Sequence, residues 1–393
     1  MESVVIVSTA RTPIGRLNGA YANVAATELG GVAIRAAIER AGIDPASVDE
    51  CLVGNVISAG LGQAPARQAA LAGGLPMSVG ATLINKVCGS SLKGVMLATA
   101  LIRAGEAATL VVAGMESMSR GPYILPQART GYRLGNGEIV DATIHDGLWC
   151  PFEQHHMGNA AEWIARTFRV TREQQDTYAL QSHQRAVAAQ DAGRFAPELS
   201  PVTVPAAKGQ PSIITTDEGP RRATSLPALA RLRPAFDPQG SVTVGNAPGI
   251  SDGATALVVM SESRAAALGL TPLARVLSMA QACVPPLEVL TATTFAIRRL
   301  LDRTQTTIDD YDLFEINEAF AAQMIANIRE LGLDPDRVNV HGGSIAIGHP
   351  IGASGARIVM TLIHALKQRG GQRGIASICI GGGEAAALAI EVF

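Results

Sequence analysis

The stretch Asn85-Lys86-Val87-Cys88-Gly89-Ser90-Ser91 decides the predicted fold, because it places a cysteine on a turn that leads into small and apolar residues. The following run, Leu92 to Ala104, predicts a helix without a charged face, which we expect to be buried. The apolar run Thr109 to Ala113 then predicts a strand. Working outward from this stretch gives the rest of the fold.

Strand-like and helix-like segments alternate from the N-terminus up to this turn. A glycine, Gly42, ends the first predicted helix, since glycine readily takes the left-handed conformation that closes helices. The alternation predicts an α/β fold with a mainly parallel sheet that helices cover on both faces. The predicted elements are strands at Val4 to Ser8 and Cys51 to Val56, and helices at Glu28 to Ala41 and Pro65 to Ala72.

The last third of the chain, from about Thr271, repeats this order of elements. It places a second cysteine, Cys379, at the end of a strand and before three glycines. If the two halves face each other, Cys88 and Cys379 approach across the boundary between them. The predicted elements are strands at Ala274 to Leu277, Leu313 to Ile316 and Ile375 to Ile380, and helices at Phe295 to Asp302, Ala319 to Leu331 and Gly355 to Lys367.

A change in composition separates the two halves. Prolines and charged residues concentrate between them, which is typical of an inserted, loop-rich subdomain. Within it, Thr171 predicts the N-cap of a helix at Arg172 to Asp191. The expected boundaries are 1–120 together with 246–270 for the N-terminal half, 121–245 for the loop subdomain and 271–393 for the C-terminal half.

Composition excludes several classes of protein. Of the 393 residues, 47% are hydrophobic and 17% are charged, which indicates a globular protein with a large core and not a disordered chain. The net charge of −2 argues against nucleic acid as a partner. We expect a cytoplasmic protein without a membrane partner, because the sequence shows neither a signal peptide nor about 18 uninterrupted apolar residues. The five cysteines include no Cys-x-x-Cys pair, so we expect no metal site.

Two of these cysteines lie in a context suited to nucleophilic chemistry. Cys88 stands at a predicted helix N-terminus, where the helix dipole and free N–H groups favour the thiolate. Cys379 precedes Gly381, Gly382 and Gly383, which allow a ligand to approach the backbone closely. For each cysteine taken alone, the role of a small buried hydrophobic residue fits the sequence equally well.

A histidine and an asparagine complete the set of candidate residues. His349 lies in Gly348-His349-Pro350-Ile351-Gly352, and a histidine of the core needs no such glycines, so the pattern favours a functional role. A phosphate-binding loop is a weaker interpretation, because neither Gly-Lys-Ser/Thr nor Gly-x-Gly-x-x-Gly is present. Asn317, directly after a predicted strand, fits two roles: the N-cap of the next helix, or a group that holds a water or substrate oxygen.

Eight segments, in order over essentially the whole chain, resemble the thiolase family, and within it the biosynthetic, acetyl-CoA acetyltransferase type. Each segment is moderately specific, and the ordered set is highly specific. The resemblance implies two similar βαβαβ-type halves packed face to face in an α/β/α/β/α architecture, with an inserted loop subdomain. The segments are Asn85 to Lys93, His156 to Gly158, Leu232 to Phe236, Gly245 to Ala247, Asp252 to Ala254, Asn317 to Ala321, Asn339 to Arg357 and Cys379 to Gly383.

The resemblance also implies a role for each candidate residue. Cys88 would take the acyl group from an acyl-CoA, and His349 would activate it and then hold the thioester oxygen of a second acyl-CoA. Asn317 would position a water in that same oxyanion hole. Cys379 would move the α-proton of the second acetyl-CoA. The backbone N–H groups of Cys88 and Gly381 would form the other oxyanion hole.

By the same resemblance, coenzyme A thioesters are the substrates, no cofactor is tightly bound, and the chain forms a homotetramer built as a dimer of dimers. The segment Arg129 to Asp146 resembles the arm that pairs such dimers. Arg221 or Arg222 is expected near the nucleotide of coenzyme A, although a solvated arginine is an equally good interpretation. The residues expected along the pantetheine tunnel are Leu148, His156, Met157, Ala319 and Phe320.

Some positions around the acyl pocket depart from the family pattern. Pro248 stands where a serine usually bonds pantetheine, so we expect that contact to be missing. Val289 stands at the position of a methionine, and Glu384 with Ala385 replaces a common Met-Gly pair. None of these changes removes a candidate catalytic group, so they bear on acyl preference and turnover.

The sequence leaves other functions open. A thiolase of broader or longer-chain specificity would keep the same residues. A decarboxylating ketoacyl synthase would lack the second cysteine, Cys379. A non-catalytic protein that binds coenzyme A or lipid is expected to have lost Cys88 or His349. A metal site formed by these three residues is the least favoured alternative.

Overall fold

Strands and helices alternate through both halves of the chain, and short strands and two longer helices lie between the halves. The computed structural model describes residues 2–205 and 210–393. The first half contains β1 (Val4–Arg11), β2 (Gly15–Arg16), α1 (Ala26–Ala41), β3 (Glu50–Gly54), α2 (Pro65–Ala72), β4 (Gly80–Ile84), α3 (Ser90–Ala104) and β5 (Thr109–Ser117).

The middle of the chain contains β6 (Tyr123–Ile124), β7 (Val140–Asp141), α4 (Ala142–Gly147), β8 (Trp149–Cys150), β9 (His155–His156), α5 (Met157–Thr167), α6 (Arg172–Asp191), β10 (Val202–Val204), β11 (Ser212–Ile214), α7 (Leu226–Ala230), β12 (Ser251–Ser261) and α8 (Glu262–Ala267). The last part contains β13 (Ala274–Cys283), α9 (Ala292–Thr304), β14 (Leu313–Ile316), α10 (Ala321–Leu331), α11 (Ser344–Ile347), α12 (Ser354–Arg369), β15 (Arg373–Ile380) and β16 (Glu384–Val392).

Among the described residues, one mixed sheet of ten strands runs through both halves, in the order β14-β15-β16-β13-β1-β12-β5-β3-β4 with β2 beside β12. Its parallel pairs lie towards the two ends, β3 with β4 and β5, and β14 with β15. The pairs in the middle are antiparallel. The prediction of a mainly parallel sheet is therefore wrong. β12 returns from the middle of the chain and β16 turns back at a glycine turn, so each runs against its neighbours.

The helices and the two halves of the sheet stack in five layers. Helices α3 and α12 lie between the two halves of the sheet and pack against strands of both. Helices α1 and α2 cover the outer face of the first half, and α9 and α10 cover that of the second. This confirms the α/β/α/β/α architecture. The halves of the sheet join where β1 pairs with β13, through Val5 with Arg275 and Ile6 with Ala274.

The segment Val87–Ala104, which includes α3, is long and apolar enough by composition to cross a membrane, with a mean hydropathy of 1.3. The core helix of a globular protein meets the same criterion, and α3 lies in the middle layer of the stack. The prediction of a buried helix without a charged face is confirmed, with Leu92, Val95 and Met96 all buried. Val87, the first residue of this span, belongs to the turn that holds Cys88 in place.

Helix α6 begins where the sequence predicts, and it supports one wall of the site. The Gln174 N–H donates to Thr171 Oγ1 (3.2 Å), while the Thr171 N–H donates to Gln174 Oε1 (3.0 Å), which caps the helix reciprocally. One and two turns further on, Tyr178 and Ser182 donate hydrogen bonds to the buried Glu318 (3.0 and 2.7 Å). Glu318 lies in the turn after β14, so α6 fixes that turn.

Candidate active site

The turn before α3 carries Cys88 and is strained at the preceding residue, Val87. Val87 has a φ of 44°, in the left-handed region that β-branched residues rarely adopt. The Val87 N–H donates to Asn85 Oδ1 (3.1 Å), the Lys86 N–H donates to Ser90 Oγ (2.9 Å), and the Ser90 hydroxyl donates to the Val87 carbonyl (2.6 Å). Strain of this kind costs on the order of 1–3 kcal/mol and persists where the surroundings impose it. These bonds place Cys88 at the start of α3.

The thiol of Cys88 is neutral at rest. Burial raises its pKa to about 12, while the backbone N–H groups of Cys88 and Gly381 face the sulfur and act to lower it. The two N–H groups come from different halves of the chain and converge on one place. Such a pair of donors can stabilise an oxyanion that forms beside the sulfur. The neutral thiol needs a base before it can act as a nucleophile.

His349, in the turn before α12, can be that base. Its Nδ1 lies 2.6 Å from Ser354 Oγ, and the Ser354 hydroxyl donates its only proton to the Pro350 carbonyl (2.9 Å). Ser354 must therefore accept from His349 Nδ1–H, which leaves a lone pair on Nε2. Nε2 has no hydrogen-bond partner among the described residues. Burial, and then the charge of Arg357, lower the pKa of His349 to about 3, so the ring is neutral at physiological pH.

Loss of the Ser354 hydroxyl is expected to weaken this base. In Ser354→Ala, the His349 Nδ1–H has no acceptor, so the ring is free to rotate or to change tautomer. We expect alkylation of Cys88 by iodoacetamide at neutral pH to slow by roughly tenfold, a fraction of the usual contribution of a positioned base. Peptide mass spectrometry resolves Cys88 from the other cysteines. Ser263→Ala, in α8 and outside the cavity, is the control; an unchanged rate in a folded Ser354→Ala protein would contradict the assignment.

A buried glutamate that the sequence analysis missed ties the His349 turn to the first half. Glu116 Oε2 accepts hydrogen bonds from the N–H groups of Gly352 (2.9 Å) and Val56 (3.1 Å). Its Oε1 accepts from the Ile57 N–H (3.0 Å) and the Asn55 amide (2.7 Å). Burial raises the pKa of Glu116 to about 7. A glutamate inside the apolar β5 strand was the available signal, since buried carboxylates need such partners.

Cys379, at the end of β15, lies close to Cys88. Burial, and then the proximity of the Cys88 sulfur, raise the pKa of Cys379 well above its usual range. Negative charges on two neighbouring sulfurs repel each other, so the two thiols do not both ionise at rest. The turn Gly381 to Gly383 follows, with positive φ at Gly382 and Gly383, and leads into β16. The arrangement provides one thiol that can react with an electrophile and a second that can exchange protons.

Asn317, just after β14, is fully buried and presents an unpaired donor. Its Oδ1 accepts a hydrogen bond from the Ser344 hydroxyl (2.6 Å), which fixes the amide orientation. Its Nδ2 has no partner among the described residues. A buried donor of this kind is usually satisfied by an ordered water or a ligand. The N-cap interpretation is wrong, because α10 begins at Ala321 and Phe320 occupies the cap position.

A cavity of about 650 Å³ connects most of these groups. Cys88, His349, Cys379 and Gly381 all line it, and Asn317 is not among the lining residues. Pro248 and Val289, two of the positions that depart from the family pattern, also line the cavity, whereas Glu384 does not. The six residues predicted to bind substrate are all in the wall: Leu148, His156, Met157, Arg221, Ala319 and Phe320.

Two of these residues have defined partners. His156 Nδ1 accepts a hydrogen bond from the Gly158 N–H (3.0 Å), and its ring stacks on Phe236 with centroids 4.8 Å apart. Burial, and then the neighbouring His155, lower the pKa of His156, so the ring is neutral. Both arginines are exposed, but Arg221 lines the cavity, whereas Arg222 forms an ion pair with Asp191 and does not line it. The structure thus favours Arg221 over Arg222 as the cavity cation.

The sequence analysis missed several apolar and small residues of the wall. They lie in loops and in short helical turns, where an apolar side chain gives no periodic signal that separates a cavity wall from the core. They include Leu17, Met118, Ile144, Val244, Ile250 and Leu290. The described part of the chain, residues 2–205 and 210–393, contains no group of three or more His, Cys, Asp or Glu side chains close enough to hold a metal ion.

A layered α/β fold with two cysteines, a neutral histidine and two converging N–H groups around one cavity is typical of one class of protein, the enzymes that transfer acyl groups. The family models described as Thiolase, N-terminal domain and Thiolase, C-terminal domain match residues 4–263 and 270–392. The chain belongs to the thiolase family.

Individual relatives agree along the full length. The chain is 51% identical over 391 residues to an acetyl-CoA acetyltransferase of Cupriavidus necator, covering 100% of both chains. It is 50% identical over 392 residues to an acetyl-CoA acetyltransferase of Escherichia coli, covering 100% of this chain and 99% of the other. The crystal structure of the Bacillus anthracis acetyl-CoA acetyltransferase superposes with a TM-score of 0.98 at 42% identity, covering 100% and 99% of the two chains. The sequence-based family prediction is confirmed.

Proposed function

We propose that this thiolase is an acyl-CoA C-acetyltransferase, which condenses two acetyl-CoA to acetoacetyl-CoA and coenzyme A or runs the reverse thiolysis. The observation that carries the proposal is one cavity that brings Cys88, Cys379 and the free Nε2 of His349 together. The full-length relatives named acetyl-CoA acetyltransferase support the same activity. The substrates are coenzyme A thioesters. Both half-reactions use protein groups alone, without a tightly bound cofactor.

In the first half-reaction, His349 Nε2 takes the proton of the Cys88 thiol while the sulfur attacks the thioester carbonyl carbon. The new oxyanion lies between the N–H groups of Cys88 and Gly381. When it collapses, the bond to the coenzyme A sulfur breaks, and that sulfur takes a proton from Cys379. The products are free coenzyme A, acetyl-Cys88, a protonated His349 and a Cys379 thiolate.

In the second half-reaction, the Cys379 thiolate removes an α-proton from a second acetyl-CoA. Protonated His349 and a water held by Asn317 Nδ2 stabilise the enolate oxygen as it forms, which makes the α-proton acidic enough to remove. The α-carbon attacks acetyl-Cys88, the carbon–sulfur bond to Cys88 breaks, and His349 returns the proton to Cys88. Both thiols end neutral, as they began.

The preferred length of the acyl chain tests the proposed substrate. In the thiolytic direction, we expect kcat/KM for acetoacetyl-CoA to exceed that for the next longer 3-ketoacyl-CoA by at least about tenfold, the discrimination typical of an apolar pocket. Val289 is buried in the cavity wall, so Val289→Met should narrow the acyl pocket and increase this ratio. The Cys88→Ala protein, which lacks the proposed nucleophile, gives the background rate of thiolysis. Rates that rise with chain length would favour the longer-chain alternative instead.

Two other functions fit less well. Cys379 beside Cys88 argues against a decarboxylating ketoacyl synthase, and turnover of malonyl thioesters in preference to acetyl thioesters would reverse that judgement. A non-catalytic protein that binds coenzyme A would not require the complete set of Cys88, His349 and Asn317, with Nε2 and Nδ2 both unpaired in the described residues. The catalytic proposal therefore explains more of the site.

We also propose that the enzyme is a cytoplasmic homotetramer, a dimer of dimers. The arm Arg129 to Asp146 supports the tetramer, because large apolar side chains are exposed there, with Leu134 fully exposed and Ile139 mostly so. Such side chains are usually covered by another chain in an assembly. All five cysteines are unpaired, which fits a reducing compartment.

A further inference from the structure

An ion pair joins the two turns that provide the N–H groups facing Cys88. Lys86 Nζ lies 2.5 Å from Glu384 Oε2, with side-chain exposures of 22% and 34%. Lys86 is in the turn before α3, two residues from Cys88. Glu384 begins β16, directly after the turn that contains Gly381. Neither side chain lines the cavity, so the pair cannot contact substrate and acts through the turns.

Apart from the Gly381 N–H, which faces the Cys88 sulfur, the other contacts between the two turns are apolar. The Val87 side chain lies against Gly381, where an added Cβ would be 3.3 Å from Val87 Cγ1. Gly89 lies against Ile380 so closely that a Cβ on Gly89 would collide with that side chain. Among the described residues, the Lys86–Glu384 bond is the only hydrogen bond between side chains that joins segment 85–90 to segment 380–384. Apolar contacts permit sliding, and an N–H group that faces a sulfur makes only a weak hydrogen bond, so the ion pair is the strong directional contact between the turns.

The turn that Lys86 anchors is also the strained one. Val87, between Lys86 and Cys88, has a φ of 44°. A β-branched residue in this region relaxes to a negative φ unless its neighbours hold it, and relaxation would reorient the Cys88 N–H. An anchor on the residue next to Val87 opposes that movement from outside the cavity.

We propose that Lys86 and Glu384 are a positioning pair, which sets the spacing of the Cys88 and Gly381 N–H groups and thereby the oxyanion hole of the first half-reaction. This inference rests on the proposed function and deepens it. Glu384 stands where the family commonly has a methionine, which cannot form the pair, so the device belongs to this chain's own sequence.

The first test is the single-turnover acetylation of Cys88 by acetyl-CoA in Glu384→Gln and Lys86→Met. Loss of one oxyanion donor typically reduces a rate by about 10²–10³-fold, and a displaced donor should cost part of that, so we expect roughly a tenfold slower step. The KM for acetyl-CoA should be unchanged, because neither residue lies in the cavity wall. The double exchange Lys86→Glu with Glu384→Lys restores an ion pair, and we expect it to recover the rate to within about threefold.

A second measurement separates positioning from simple charge. Removing the negative charge of Glu384 should by itself stabilise the Cys88 thiolate and speed alkylation by iodoacetamide. Displacement of the Gly381 N–H should do the opposite. We therefore expect slower alkylation of Cys88 in Glu384→Gln. Glu262→Gln is the matched control, since it breaks an ion pair with Arg275 of similar exposure (35% and 31%) at the other end of β13, whose last residue, Cys283, pairs with Glu384.

The outcomes are distinct. Slower alkylation and slower acetylation in the single variants, with recovery in the double exchange, support the positioning pair. Unchanged or faster alkylation in Glu384→Gln, or no recovery in the double exchange, overturns it. If the wild-type protein is not acetylated at all but Glu384→Gln still slows alkylation, the proposed function fails while the positioning pair stands.

Discussion

Replacing Cys88 with alanine is expected to abolish acetyl transfer. The two converging N–H groups face this thiol, and it lines the same cavity as His349, so we expect it to carry the acyl group. Removal of a catalytic nucleophile typically reduces turnover by about 10⁴-fold or more. Intact-protein mass spectrometry after incubation with acetyl-CoA should show one added acetyl group on the wild-type protein and none on Cys88→Ala.

The control for this experiment is Cys283→Ala. Cys283 is exposed at the end of β13 and does not line the cavity, so its replacement should leave both acetylation and turnover unchanged. Acetylation of folded Cys88→Ala at the wild-type level, or acetylation of the wild-type protein at another residue, would defeat the proposed assignment of the nucleophile.

Replacing Cys379 with alanine is expected to separate the two half-reactions. Cys88 and His349 remain in place, and water can protonate the departing coenzyme A, so acetylation of Cys88 should stay within about tenfold of the wild-type rate. Exchange of the acetyl-CoA methyl protons with deuterated water should fall by roughly 10²–10⁴-fold, the usual contribution of a positioned acid or base. Proton NMR of acetyl-CoA in deuterated buffer measures this exchange.

The pattern across the two variants is the decisive result. Cys88→Ala should lose acetylation, whereas Cys379→Ala should keep acetylation and lose exchange and condensation. Cys283→Ala again serves as the control for removal of a thiol. Retained proton exchange in Cys379→Ala would show that another group removes the α-proton, and the mechanism of the second half-reaction would then be wrong.

The sequence predicts individual elements of this fold well where local signals agree. The helices Pro65–Ala72 and Arg172–Asp191 are placed correctly at both ends, since proline at the first turn and the Thr171 cap mark their starts. The direction of the strands was predicted wrongly, as mainly parallel. An apolar run shows that a segment is a buried strand, but not which neighbours it pairs with, so the antiparallel positions of β12 and β16 could not be read from it.

The candidate site likewise contains some residues that the sequence indicates and others that it does not. Cys88, His349 and Cys379 could be found because each lies on or just before a turn whose glycines an ordinary core does not need. The hydroxyl of Ser354, which fixes the tautomer of His349, gave no such signal, since serine at the start of a helix is common. Likewise, the bond between Lys86 and Glu384 joins residues 298 positions apart, and only the folded chain brings them together.

The junction between the halves has a consequence for the timing of synthesis. Cys88 leaves the ribosome long before the Gly381 N–H that faces it, which belongs to the turn between β15 and β16. During synthesis, N-terminal regions fold first, so a nascent chain contains the reactive cysteine without its partners. In that state the thiol has neither a base nor an oxyanion hole and behaves as an ordinary cysteine. The proposed chemistry at Cys88 therefore requires that synthesis has passed Gly381.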